Sequence, residues 1–251
     1  NKTVFVILYI IVVTLVWPAM VLMISVVFGQ YPFFKRYLNQ LLKKLTRRET
    51  GAKPLKTSEQ HIMRKKIAIF ASGAGSNAQK IIDHFRESSV AEISLIACNK
   101  PNVGVLTIAA NEHIESLLIE KEQYKKDGYA QFLQEKGIDF VVLAGFLWKI
   151  PQALIDAYPR RMINIHPALL PNYGGKGMYG AFVHESVIAN KEQKSGITIH
   201  FVDEHYDNGD VIFQATCDIE PGETAESLAQ KIHSLEHEHF PKVIEGLLDS
   251  K

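Results

Sequence analysis

The chain has 251 residues, 47% hydrophobic and 22% charged, enough for one α/β core and an appendage. Its formal charge of +1 hides a division: residues 35–56 carry Lys35, Arg36, Lys43, Lys44, Arg47, Arg48, Lys53 and Lys56 against Glu49 alone, whereas the part from Met63 onward holds 19 basic and 25 acidic residues. That acidic balance argues against nucleic-acid binding by general electrostatics, and two distant cysteines, Cys98 and Cys217, exclude a disulfide framework and a zinc cluster and fit buried thiols in a reducing compartment.

Residues 3–34 contain no charged side chain, and Val4 to Phe28 is long enough to span a bilayer. Thr14, Pro18 and Ser25 are tolerable inside such a span. The basic cluster after it predicts a cytoplasmic C-terminal side. A cleaved signal peptide fits less well, because the apolar run is too long and no small-x-small site follows. Residues 1–30 therefore read as a transmembrane helix, 31–62 as a basic linker and 63–251 as the folded domain. Within the linker, Phe34, Leu38, Leu41, Leu42 and Leu45 are spaced as one face of a helix on anionic lipid; a solvated linker is the alternative. Membrane anchoring is conditional. The chain does not begin with Met, and Met63 opens onto the first strand, so residues 1–62 are either an anchor or an upstream extension that the working protein lacks.

From Lys65 the pattern alternates between strand and helix. Ile67 to Ala71 predicts a buried strand, Ser72 to Asn77 a loop, and Ala78 to Phe85 an amphipathic helix. Glu92 to Ala97 follows as strand, Val105 to Asn111 as helix, Ser116 to Ile119 as strand, and Gln123 to Lys136 as one helix. Asp139 to Ala144 is the fourth strand, Gln152 to Tyr158 a helix, and the run from Met162 the fifth strand. A helix over Ala181 to Asn190, strands over Gly196 to Val202 and Asp210 to Ile219, and a long helix over Thr224 to Leu247 complete the chain. The alternation predicts a mostly parallel sheet with helices on both faces.

Four stretches carry candidate chemistry. Asn164 and His166 are two apart in a strand, so they share a face, and Pro167 ends that strand at once. Open α/β sheets keep their sites at such carboxyl ends. Gly73 to Asn77 offers a tight glycine turn ahead of a helix N-terminus, with Gly75, Ser76 and Asn77 as a phosphate cradle; a plain turn with Ser76 as N-cap is the alternative. Gly145 to Ile150 is an apolar loop that either beds a flat heteroaromatic ring or packs under the next helix. His200 to Asp210 is acid-rich. Asp207, beside the Asn208-Gly209 turn, is the carboxylate placed to fold over His166 and favour its protonated form, ahead of Asp203 and Asp210; metal binding and a solvated loop are the rivals. On the last helix, Glu236 and His239 share a face, which a solvated surface would explain equally.

In this order GAGSN, LAGFLWKIP, NIHPALLP, GITIHFVDEHYDNG and LEHEHFP resemble the phosphoribosylglycinamide formyltransferase family, within the folate-dependent formyltransferases, over Lys66 to about Leu248. The resemblance implies a Rossmann-like formyltransferase fold, preceded here by the N-terminal apolar helix. It implies Asn164, His166 and Asp207 as the catalytic trio, Gly75, Ser76 and Asn77 around the substrate phosphate, and Glu236 on the same substrate. Leu147, Trp148, Lys149 and Ile150 with Asn164 match the folate site, Lys121 stands where an arginine near the folate is common, and Thr198 matches a Ser/Thr position. Residues 1–62 match nothing in the family.

The reaction implied is formyl transfer from 10-formyltetrahydrofolate, as co-substrate, to the amine of glycinamide ribonucleotide in purine synthesis, with no metal and no nucleic acid. Protonated His166, with Asn164 as second donor, would stabilise the oxygen that gains charge, and Asp207 would keep His166 cationic. The implied location is cytoplasmic for the catalytic domain, at the inner or plasma membrane if residues 1–62 are present. Methionyl-tRNA formyltransferase would want a basic C-terminal domain, and formyltetrahydrofolate hydrolase an N-terminal regulatory one. Sugar-nucleotide formyltransferases usually lack the GAGSN loop. A nicotinamide oxidoreductase would want an acid where Cys98-Asn99-Lys100 closes the second strand. A membrane-tethered, non-catalytic binding module has no physical need for all three of Asn164, His166 and Asp207.

Overall fold

The computed structural model describes residues 64–127 and 129–249. The first strand, β1 (Lys65–Ala71), is central to a seven-stranded sheet. Its residues alternate between two cores: Ile67, Ile69 and Ala71 enter one, Ala68 and Phe70 the other. That double burial is why β1 reads as an unbroken apolar run rather than an alternation of apolar and polar residues. Helix α1 (Ser76–Phe85) follows, burying Ala78, Ile81, Ile82 and Phe85 at the spacing of one helical stripe. Next come β2 (Ala91–Cys98), α2 (Gly104–Asn111) and β3 (Glu115–Leu118).

The single helix expected over Gln123 to Lys136 is two: α3 (Lys121–Asp127) and α4 (Ala130–Glu135). Tyr129 interrupts it. It adopts left-handed backbone at φ 62°, and its N–H donates to the Asp127 carboxylate at 2.9 Å. Its ring is buried and its hydroxyl accepts the Glu120 N–H at 3.1 Å. Periodicity cannot report such a break, because Tyr124 and Leu133 stay on one buried face across it.

Strand β4 (Phe140–Leu143), helix α5 (Gln152–Ala157) and strand β5 (Met162–His166) extend the sheet on the other side of β1. Then come α6 (Ala181–Ala189), β6 (Lys194–Phe201), β7 (Val211–Asp218) and α7 (Ala225–Asp249). The strand order is β3-β2-β1-β4-β5-β6-β7. The pairs up to β4–β5 are parallel; β5–β6 and β6–β7 are antiparallel. The mostly parallel sheet of the sequence reading is therefore present, with an antiparallel edge. Residues from α1, α2, α6 and α7 cover one face, and residues from α3, α4 and α5 the other.

The order of strands reverses at β1 and β4, which opens a crevice at their carboxyl ends. Cys98 and Cys217 are free thiols, the first buried and the second half-buried. No described helix is long and apolar enough to cross a membrane. The span expected over Val4 to Phe28 and the basic linker 31–62 lie outside the described residues.

Gly196 in β6 has no room for a side chain. An added Cβ would run into the Ala215 carbonyl oxygen and approach Leu169 Cδ2 to 2.7 Å. Gly196→Ala is expected to destabilise the domain by about 1–3 kcal/mol, seen as a lower urea midpoint at unchanged slope.

Candidate active site

Four loops and three helices enclose a cavity of about 850 Å³ at the carboxyl ends of β1, β4 and β5. Its floor is set by strand register. Asn164 and His166 point to one face of β5, and the antiparallel partner of Asn164 is His200. The His200 ring donates from Nδ1 to its neighbour's carbonyl, Phe201 O, at 2.8 Å. Its Nε2 therefore presents a lone pair, which takes the Asn164 side-chain N–H at 3.1 Å.

Asp207 closes over this pair from the loop after β6. Its carboxylate accepts the Gly175 N–H at 2.9 Å and the Asn164 amide at 3.3 Å. His166 Nδ1 lies 3.5 Å and His200 Nε2 3.7 Å from it. Burial pushes the Asp207 carboxyl up, but the imidazoles of His200 and His166 beside it and the Gly175 N–H together hold it below the usual carboxylate value.

His166 departs from expectation. Burial, the largest influence, pulls its imidazole below the ordinary value of 6.5, while Asp207 and the Tyr173 carbonyl pull it back less strongly. Its Nε2 donates to Tyr173 O at 2.7 Å. Burial thus works against the preformed cation expected from the nearby carboxylate. Asn164 also differs from expectation. Both hydrogens of its amide go to His200 and Asp207, so its oxygen, an acceptor, is the atom left without a partner among the described residues.

The glycine loop forms a second wall. Gly75, at φ 86°, caps α1 with backbone alone, so the alternative of Ser76 as N-cap does not hold. A Cβ on Gly75 would meet Val105 Cβ and Ile108 Cδ1 at 2.9 Å. Ser76 and Asn77 open the helix and line the cavity. Asn77 Nδ2 donates to Glu236 Oε2 at 2.9 Å, and His233 Nδ1 meets the same oxygen at 2.9 Å. Glu236 is 5% exposed and stands in the buried stripe of α7 between Ile232 and Phe240. The neighbour of Glu236 is thus His233. The expected face-mate His239 packs on Phe213 instead, ring centres 5.0 Å apart.

The loop after β4 divides its residues. Leu147 lines the main cavity, and its N–H is taken by Ser72 Oγ at 3.0 Å. Lys149 and Ile150 line an adjoining cavity of about 280 Å³ with Tyr124 and Glu204. Trp148 lines neither; it packs on Tyr124, 5.5 Å between ring centres. Lys121 opens α3, is exposed and lines neither cavity. Thr198, fully buried, donates to Ala168 O at 2.7 Å and accepts the Leu170 N–H at 2.9 Å, so it shapes the turn after His166 rather than the cavity. Sequence reasoning missed His200, His233 and His184, all drawn in by tertiary pairing. The signal for His200 was its place in a strand pairing antiparallel with the Asn164 strand. Among the described residues no group of three or more His, Cys, Asp or Glu side chains could hold a metal ion.

The arrangement combines an anion-ready helix start, an ionised acid, a neutral base and an apolar strand-end loop. Comparison with known proteins identifies the family. The signature of the formyl transferase family matches residues 65–244. A phosphoribosylglycinamide formyltransferase of Bacillus subtilis is 37% identical over 190 residues, covering 73% of this chain and 95% of that protein. The chloroplastic enzyme of that name from Vigna unguiculata is 39% identical over 196 residues; they are 76% of this chain and 63% of that relative's length. The crystal structure of phosphoribosylglycinamide formyltransferase from Bacillus halodurans is 36% identical, with a TM-score of 0.67 over 74% of this chain and 96% of that one.

The opposing influences on His166 give a signed prediction. In histidine NMR titrations of the unliganded protein, His166 titrates below 6.5, and Asp207→Asn moves it lower still, because the carboxylate is what pulls it up. The neutral ring contributes stability that is complete above 6.5 and is lost as pH falls through the folded value.

Proposed function

The chain belongs to the formyl transferase family, and from that premise we propose that it transfers the formyl group of 10-formyltetrahydrofolate to the primary amine of glycinamide ribonucleotide, a step of purine synthesis. The observation that carries the reading is the convergence of Asn164, His166 and Asp207 on one cavity that also holds the Gly75–Asn77 loop.

In this reading the substrate phosphate sits on the open start of α1, held by N–H groups of Gly75, Ser76 and Asn77. Glu236 accepts from the same substrate. The co-substrate's flat ring beds on the loop from Leu147 to Ile150, with Trp148 acting through its packing and Lys121 at the outer edge. The amine attacks as the free base. The proton it sheds goes to His166 Nδ1, and the cation so formed stands between two acceptors, Asp207 and the Tyr173 carbonyl. That imidazolium then stabilises the oxygen that gains charge and can return a proton to the leaving nitrogen. Asn164 donates to the same oxygen only if its amide lets go of Asp207. Its Oδ1, which takes no hydrogen bond among the described residues, suits an N–H of the incoming amine.

The same proposal covers organisation. Where residues 1–62 are part of the natural protein, residues 1–30 anchor it in the inner or plasma membrane, 31–62 form a basic linker, and 63–251 work on the cytoplasmic face. The apolar run and the basic cluster after it support this part. Residues from His61 onward form a compact unit of their own, so removing 1–62 is expected to leave kcat within about twofold and to move the protein from the membrane to the soluble fraction on cell fractionation.

His166→Ala and Asp207→Asn are each expected to lower kcat by about 10²–10⁴ with KM values changed less than about fivefold. Steady-state assays with purified protein decide it. Near-normal turnover in either variant would sink the assignment.

A further inference from the structure

His184 has no part in the reaction as just described, yet it stands in the cavity wall. It is the fourth residue of α6 and 4% exposed. Its Nδ1 is buried without a partner, and among the described residues its side chain makes no hydrogen bond or ion pair. Three titratable groups on neighbouring elements line the same cavity: His166 on β5, and His233 and Glu236 on α7. Burial, then the charge of His233, hold its imidazole below the ordinary value of 6.5, with His166 adding to them and Glu236 opposing. Burial thus favours the neutral ring, which keeps one donor and one acceptor.

A second group in the same wall shares this condition. Asn77 spends its amide nitrogen on Glu236, which fixes the amide's orientation and leaves Oδ1 buried and unpartnered. So the wall reaching from the Gly75–Asn77 loop towards His166 holds two polar groups that the protein does not satisfy. Unpaired buried polar groups cost stability, and proteins rarely keep them without cause. A histidine held by packing alone, with one ring edge on a ligand cavity, has such a cause if a substrate atom completes it.

We propose that His184 is a specificity-determining residue that hydrogen-bonds the ribose–glycinamide stretch of the acceptor substrate, between its phosphate and its reacting amine. The inference rests on the function proposed above. It differs from the roles of His166 and Asp207 in acting on affinity for one substrate, not on the chemical step.

His184→Leu is expected to raise both KM and Kd for glycinamide ribonucleotide about tenfold, the loss of one ordinary hydrogen bond. KM for 10-formyltetrahydrofolate stays within about twofold and kcat within about threefold. The melting temperature holds or rises, since an apolar side chain removes a buried orphan. His184→Asn, whose amide reaches the position of Nδ1, recovers most of the affinity. Calorimetric titration with glycinamide ribonucleotide alone needs no turnover. Wild-type protein that binds it but transfers nothing overturns the proposed reaction and leaves the His184 contact to be decided by the Kd of the two variants. Unchanged Kd in His184→Leu, or a loss that falls on the folate, overturns the inference. So does a collapse of melting temperature in both variants, which would mark a structural role.

Discussion

One carboxylate holds the site together. Asp207 ties the loop after β6 to the turn at Gly175 and to the floor residue Asn164, and it lies within 3.7 Å of both His166 and His200. Its backbone is left-handed at φ 52°, a conformation that costs a non-glycine residue of order 1–3 kcal/mol. The chain is steered there by Gly209, whose missing side chain lets it lie against the Phe201 carbonyl. Gly174 is pinched too: a Cβ on it would come within 3.2 Å of Asp207 Cβ. A strained residue, two crowded glycines and an 11% exposed acid side chain together over-determine one position.

From that position burial acts on two groups with opposite results. For Asp207 the donors around it outweigh desolvation, so the acid is ionised. For His166 desolvation wins, because a carbonyl at 2.7 Å and a carboxylate at 3.5 Å do not repay the loss of water, so the neutral ring is favoured. The difference is one of hydrogen-bond supply. A backbone N–H at 2.9 Å serves the acid directly, whereas the nearest carboxylate oxygen stays beyond hydrogen-bond reach of Nδ1. An ionised acid beside a neutral base can take up a proton with little rearrangement, since the charge it creates is already compensated.

The fold was legible wherever burial repeats at a fixed period. β1 and α1 could be read from residues 67–85 because both write their buried faces into the sequence. The break at Tyr129 was not, since it moves no residue off the buried stripe. Within the site, Asn164, His166 and Asp207 were legible as local patterns: a two-residue strand spacing, and an acid beside an Asn-Gly turn. Their state was not. Whether His166 is charged depends on burial and on Tyr173, seven residues away in sequence but 2.7 Å from the ring in space. His200 and His233 act through a cross-strand pair and a helix turn buried against α1, neither of which has a one-dimensional signature.

The start of α1 shows how a local preference yields to a site. Ser76 and Asn77 belong to the residue types that cap helices well, and a side-chain cap is commonly worth about 1 kcal/mol. Neither is used so. Ser76 has entered the first turn, and Asn77 turns its amide to Glu236 on a helix 159 residues away. Gly75 supplies the cap position with backbone alone, at a φ that suits glycine. The first N–H groups of the helix are therefore left open towards the cavity, with the positive end of the helix dipole behind them. A side-chain oxygen in the cap position would compete with an anion for the same hydrogens. In the function proposed above, the forgone cap is recovered when the substrate phosphate takes those hydrogens, and the loop is then most stable with that substrate in place.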